Sequence, residues 1–317
     1  METRKLIRLG STTLVVSLPS SWARRMGLSP GSTVTVEERG DELVIRVPSE
    51  AAGRKPLTLD ADKIPSPVIL GKLPSCFYVL GLEDVLIRGE LGEKQLYSLR
   101  LSASRLGGLE VVEEDEGVHV RTLLDVSRIS PKAALRQMSI TISKIADTAV
   151  RILRGERVDP GLLRLHGLDL FRIQHIVIKC LITGSPLSGE KRRSMVYLIA
   201  ASLTGLLGDY LASIAVDAYS ARSRGEMVGG DMAERLADLV EAIGALAVSV
   251  MSSLILSSRK RTLENLERIG RLKGELASME KQGQPWVSRN IARLEDGLRI
   301  LEIVNNMAVC NLLLEEK

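Results

Sequence analysis

The sequence predicts a multidomain, mainly α protein in three parts. Residues 1–50 form a small β-rich head, 57–130 a compact α+β module, and 131–317 a tandem of six helices in two three-helix units, 131–224 and 231–317. Three observations carry this. Apolar and polar residues alternate between Leu14 and Val47, as they do on half-buried strands. After Ser130-Pro131 the apolar residues recur instead at spacings of three, four and seven, the period of one helix face. Glycine and proline then punctuate that pattern, most strongly at Gly225 and Gly229-Gly230.

Composition sets bounds on function. A chain of 317 residues holds two or three domains, and 45% hydrophobic with 26% charged residues excludes wholesale disorder. Aromatics are only 3%, so the core is built from Leu, Ile, Val and Ala, as in helical bundles. The net charge of +4 is too small to argue for nucleic acid by itself, so the placement of charge must do so. Cys76, Cys180 and Cys310 are odd in number and far apart, with no C-x-x-C, which fits neither a disulfide framework nor a zinc site. No long apolar run follows Arg4 and Lys5, so no signal peptide is expected. The longest uncharged apolar run, Ala242–Ser257, falls short of the roughly 20 residues of a membrane span. A cytoplasmic protein without membrane insertion is the expectation.

In the head, Leu14, Val16 and Leu18 alternate with Val15 and Ser17 on a strand that Pro19 ends. Ser20 or Ser21 is positioned to cap a short helix through Trp22, Arg24, Arg25 and Met26, and Gly27 suits the left-handed residue after its last turn. Pro30-Gly31 marks a turn. Val34 and Val36 open a strand, Arg39-Gly40-Asp41 reverses the chain, and Leu43, Ile45 and Val47 return. Such a unit is too small to bury a core alone, and two copies can close one shared barrel. Leu14, Val16, Leu18, Trp22, Val34 and Val36 are the expected dimer core. In residues 1–36 the basic groups Arg4, Lys5, Arg8, Arg24 and Arg25 face Glu2 alone. A dimer doubles that charge, and its two-fold axis matches a pseudo-palindromic duplex.

The motif V-S-L-P at Val16–Pro19, Trp22 three residues on, and G-L-x-x-G at Gly27–Gly31 resemble the AbrB/SpoVT swapped-hairpin DNA-binding domain. The resemblance is to the version found at the N-terminus of archaeal PhoU-like phosphate uptake regulators. It implies double-stranded DNA as a partner, a homodimer, and Arg4, Lys5, Arg8, Arg24 and Arg25 as the DNA contacts.

Residues 48–56 read as a linker. The module that follows is expected to have strands at Leu57–Leu59 and Val85–Ile87, a helix over Glu93–Leu106 stopped by Gly107-Gly108, and a hairpin of Leu109–Glu114 with Val118–Leu123. No catalytic constellation stands out in it. The acidic run Glu113–Glu116 reads as a solvated turn rather than a cation site.

Ser130-Pro131 starts the first long helix with a capping serine and a proline at its first position. Leu135, Met138, Ile142, Ile145, Ala149 and Ile152 line its buried face. Further helices are expected at about 162–182, 190–220, 236–254, 263–279 and 291–312. This tandem, and Tyr197–Ala215 in particular, is similar to the PhoU fold. The similarity implies a link to phosphate uptake, with a phosphate transporter or sensor protein as a partner. PhoU repeats carry acidic pairs four residues apart, which stack on a helix face and hold metal clusters. Here Gly205 precedes Asp209, and the second pair is replaced by Leu301 and Asn305, so no metal or cofactor is expected. Asp169 is a lone candidate, and His166 and His175 lie on opposite helix faces. No hydrolase triad, Walker string or glycine-rich phosphate loop occurs, so an enzyme is not expected. The clusters Lys191-Arg192-Arg193 and Arg259-Lys260-Arg261 read as solvated helix ends, with an acidic partner or extra DNA phosphate as the sharper alternative.

Overall fold

The computed structural model describes residues 3–39, 42–47, 56–64, 66–126, 129–183, 188–225, 230–279 and 285–315. The chain divides into two compact units, Met1–Lys55 and Pro56–Lys317.

The first unit has the order β1 (Ile7–Leu9), β2 (Thr13–Val15), α1 (Ser20–Arg25), β3 (Thr35–Arg39) and β4 (Glu42–Arg46). Strands β1 and β2 pair antiparallel, as do β3 and β4, but the two hairpins remain separate sheets within one chain. The expected strand through Leu18 is shorter than the alternation implied. It stops at Val15 because β1 begins at Ile7 and offers no partner beyond it. The serine cap is also corrected. Helix α1 begins one residue earlier, with the Pro19 carbonyl accepting from Ala23 N–H at 2.9 Å, so neither Ser20 nor Ser21 caps it. Its end is as read: Leu28 N–H reaches back to Ala23 C=O and Gly27 holds φ +67°. At Ser29–Ser32 the chain turns with Gly31 at φ +92°, a value that favours glycine after proline. The Gly40-Asp41 reversal and most of the 48–56 linker lie outside the described residues.

The second unit opens with β5 (Leu57–Asp60), α2 (Pro67–Leu70), α3 (Leu73–Val79), β6 (Asp84–Arg88), α4 (Glu93–Ala103), β7 (Leu109–Glu114) and β8 (Gly117–Thr122). The sheet order is β5-β6-β8-β7, with β5 parallel to β6 and the rest antiparallel. Helices α2 and α3 were not read from the sequence, although Ser66-Pro67 repeats the Ser-Pro start signal. The Ser66 hydroxyl accepts from Ile69 N–H at 3.3 Å. Helix α4 ends three residues short of the expected Leu106, which still enters the core from the turn. That core of Leu70, Phe77, Tyr78, Val85, Ile87, Leu99 and Val120 is completed by Phe171 and Ile176 from a helix of the tandem. The Tyr78 hydroxyl donates to Gly107 C=O at 2.9 Å, and burial pushes its pKa up to about 12.

The tandem consists of α5 (Pro131–Leu153), α6 (Pro160–Thr183), α7 (Ser188–Ser223), α8 (Asp231–Leu256), α9 (Arg259–Met279) and α10 (Pro285–Glu315). Ser130 caps α5 through Ala133 N–H. The two trios do not keep separate cores. Helix α5 packs on α6, α7 and α8, while α10 packs on α7, α8 and α9. One continuous apolar core therefore runs through α5, α7, α8 and α10, because the buried faces of α5 and α8 meet each other and α7 and α10 bridge the two trios.

Three helices, Arg192–Ser223, Asp231–Leu256 and Trp286–Leu314, are long and apolar enough by length and composition to cross a membrane. The uncharged run Ala242–Ser257 covers only the C-terminal part of one of them, and the others are interrupted by a few charges. In α8, 61% of the most apolar stretch is buried inside the fold.

Polar contacts pin helices at the rim. Arg154 bridges Glu234, Asp238 and Glu241 of α8 at 2.9, 2.8 and 3.2 Å. Asp217 of α7 accepts from Arg293 and, at 2.8 Å, from Arg289 of α10. Burial raises the Asp217 pKa, but the two guanidinium hydrogen bonds outweigh it and the net shift is downward. The stability this pair supplies is therefore present above the unfolded carboxyl value of about 3.9 and is lost as pH falls through the lower folded value. Asp217→Asn is expected to cost about 1–2 kcal/mol at pH 7, with the difference from the parent shrinking in acid as pH falls below the unfolded carboxyl value and through the lower folded one. Urea unfolding of both chains across that pH range checks it.

Candidate nucleic-acid interface

The head contains no buried residue among those described. Leu14, Val16 and Val36 are 60%, 41% and 53% exposed, while Leu18, Trp22 and Val34 are half-buried. Leu6, Ile7, Leu9 and Leu43, outside the expected dimer core, are exposed as well. The register sets which side chains share a face. Directly paired residues share a face, so Ile7, Leu9 and Val15 lie together while Arg8 pairs with Leu14 on the other side. On the second hairpin Val36 pairs with Ile45, and Leu43 is on that same face.

The five basic candidates are all exposed. Arg4 and Lys5 precede β1 and Arg8 is on it. Arg24 and Arg25 occupy the last turn of α1, and the Arg24 Nε–H lies back towards Ser20 C=O at 3.4 Å. Two hairpins with uncovered apolar faces and cations at their edges are the two requirements of a charged dimer: surface that must be covered and charge that stays in water. Guanidinium groups suit phosphate because they present paired donors in one plane.

The metal candidates resolve differently. Gly205 gives room to the end of the Gln174 side chain, whose atoms would lie 2.5 Å from an added Cβ and would have to swing aside to admit an acid there. Asp209 is on the exposed side of α7. Partial burial of its carboxyl raises the pKa and the Arg105 charge partly offsets that. Leu301 is buried in the apolar core. Asn305 is buried in an amide network: it accepts from Asn265 Nδ2 at 3.2 Å and donates to Thr262 C=O at 3.0 Å, while Asn265 accepts from Ser249 Oγ at 2.7 Å. Asn305→Ala is expected to destabilise the tandem by about 1–3 kcal/mol, since buried Asn265 and the Thr262 carbonyl each lose a hydrogen bond while Asn265 keeps Ser253. Asn305→Asp is expected to bring no metal uptake by elemental analysis, because the neighbours are amides and hydroxyls. Asp169 is half-buried on α6, as is His166. The His175 Nδ1 is 2.8 Å from Phe171 C=O, and burial lowers its pKa. Among the described residues no group of three or more His, Cys, Asp or Glu side chains is placed to hold a metal ion.

The sequence missed a charged cluster on the sheet. His119 Nδ1 sits 2.8 Å from Asp84, its Nε2 is 3.4 Å from Glu114, and Arg121 bridges both carboxylates. A hydrogen bond from Arg121 is the main cause of the lowered Glu114 pKa. The four residues come from three strands, so no linear spacing announces them. Glu113–Glu116 line an open surface hollow beside this cluster with Gly89 and Glu90.

Residues 7–52 match the family model described as antidote-toxin recognition MazE, bacterial antitoxin. The match is confined to the head and supports its reading as a swapped-hairpin domain. No curated protein matches the chain.

Proposed function

We propose that this protein is a dimeric, DNA-binding transcriptional regulator of the cytoplasm. Two heads complete one barrel, and the tandem serves as a PhoU-like sensor or relay of phosphate status without catalysis or membrane insertion. The observation that carries the reading is a head that has no buried residue among those described, presents five exposed cations and matches the MazE model. A lone hairpin is marginal in water, so the exposed Leu14, Ile7, Leu9 and Val36 favour closure with a second copy. Phosphate contacts from Arg4, Lys5, Arg8, Arg24 and Arg25 supply most of the affinity and set the register on the duplex. The link to phosphate uptake rests on the resemblance of the tandem alone. A genomic-DNA binding selection with the full chain tests both parts. Enrichment of pseudo-palindromic sites near phosphate-transport genes supports them. Enrichment elsewhere removes the phosphate link, and no enrichment removes the DNA reading.

The description of the matched model, antidote-toxin recognition, favours a second reading. There the head dimerises and recognises a protein, and the tandem is an adaptor docking on a transporter or sensor. A stable dimer by light scattering with no duplex binding at low salt selects this reading.

A further inference from the structure

Helix α7 carries an uncovered seam. From 192 to 210 the exposed residues are Arg192, Met195, Ile199, Ser202, Leu206 and Asp209, and every other position is buried or half-buried. Their spacings of three, four, three, four and three are those of a two-helix seam. Met195, Ile199 and Leu206 are 65%, 37% and 42% exposed. Helix α7 packs on α5, α6 and α10, and among the described residues of this stretch the seam is the face left exposed.

We propose that this seam is an isologous interface, in which α7 of one chain packs antiparallel on α7 of a second copy. The order of residues selects the occupant. The seam runs from a cation, through apolar Met195, Ile199 and Leu206, to an anion. A two-fold axis passing between Ala200 and Ala201 sets Arg192 of one copy against Asp209 of the other. The same axis sets Met195 against Leu206 and Ile199 against Ser202, so opposite charges meet at both ends, two apolar Met195–Leu206 pairs lie inside them, and Ile199 faces Ser202, whose hydroxyl is satisfied by Leu198 C=O, about the axis. A parallel pairing instead stacks Arg192 on Arg192 and Asp209 on Asp209, which is repulsive. The Asp209 carboxyl is raised in pKa by partial burial, which the Arg105 charge offsets in part. A guanidinium from the second copy supplies the missing compensation. The seam is about 25 Å long, enough for a helix-pair contact. The inference stands apart from the DNA reading, because it concerns the tandem and is read out by a bond between chains.

The test uses the full chain with the exposed Cys76 and Cys310 changed to serine, leaving buried Cys180. Into it go Met195→Cys and Leu206→Cys together. Within one helix these positions are about 16 Å apart, too far for a disulfide, which needs Cα atoms within about 7 Å. Oxidation is expected to give a chain-to-chain bridge between positions 195 and 206, identified by peptide mass mapping. Met195→Cys alone is expected to give at least about fivefold less linked dimer, since its two copies are held apart. Asp209→Arg in the double-cysteine chain is expected to lower the yield by a similar factor, and adding Arg192→Asp to restore it. A double-cysteine chain that stays unlinked overturns the proposal. So does equal linking by Met195→Cys alone, or a charge exchange that fails to restore the yield.

Discussion

Changing Arg24 and Arg25 together to alanine is expected to weaken duplex binding by roughly two orders of magnitude near 0.15 M salt. It is also expected to flatten the salt dependence. The dimer loses four guanidinium groups, and each phosphate contact removed lowers the slope of log affinity against log salt by about 0.9. The slope therefore falls by up to about 3–4, measured by fluorescence anisotropy from 50 to 200 mM salt. Both arginines sit in the last turn of α1, exposed. Their loss removes no packing, so light scattering is expected to return an unchanged dimer. Equal binding by parent and variant removes these arginines from the interface. A variant that loses the dimer places them in the barrel instead.

A large effect on stability, opposite in sign to helix propensity, is expected at Gly244 of α8. A Cβ there would lie 2.5 Å from Ala146 Cβ on α5, at the most extensive helix pairing of the tandem. Neither atom can rotate away, so the two helix backbones must part. Gly244→Ala normally gains up to about 1 kcal/mol in helix propensity. Here overpacking is expected to reverse the sign, costing about 2–3 kcal/mol net and lowering Tm by several degrees. Adding Ala146→Gly reopens the contact and recovers most of the packing loss, apart from its own propensity cost. Calorimetry on the two single variants and the pair resolves the coupling. An unaltered or raised Tm for Gly244→Ala means that the crossing is looser than the structure has it.

Much of this architecture is legible in the chain, and the exceptions have physical causes. The helical period after Pro131 is strong because α5, α8 and α9 each have one dominant apolar face, so their extents follow from spacing. Helices α2 and α3 escape because they span only four and seven residues, too few for a period to emerge. The seam on α7 escapes for the opposite reason: that helix is apolar nearly all round, and which side stays open is decided by α5, α6 and α10. The His119 cluster depends on register between β6, β7 and β8. In the head, the basic residues and turn glycines are read directly, whereas the pairing of Arg8 with Leu14 follows only once β1 and β2 are in register. The depletion at Gly205 and Leu301 is visible in sequence, but its accommodation by Gln174 and the Asn265–Asn305 amides is not.

The central claim is that the head binds duplex DNA through its cations as a dimer. The most direct measurement is the affinity of the full chain for a selected duplex as a function of salt, with the dimer followed by light scattering in the same samples. Each dimer brings ten of the candidate basic groups, and with half or more of them on phosphates the slope of log affinity against log salt is expected between about −5 and −9. A stable dimer with no duplex binding at 50 mM salt, or with a slope near zero, contradicts it.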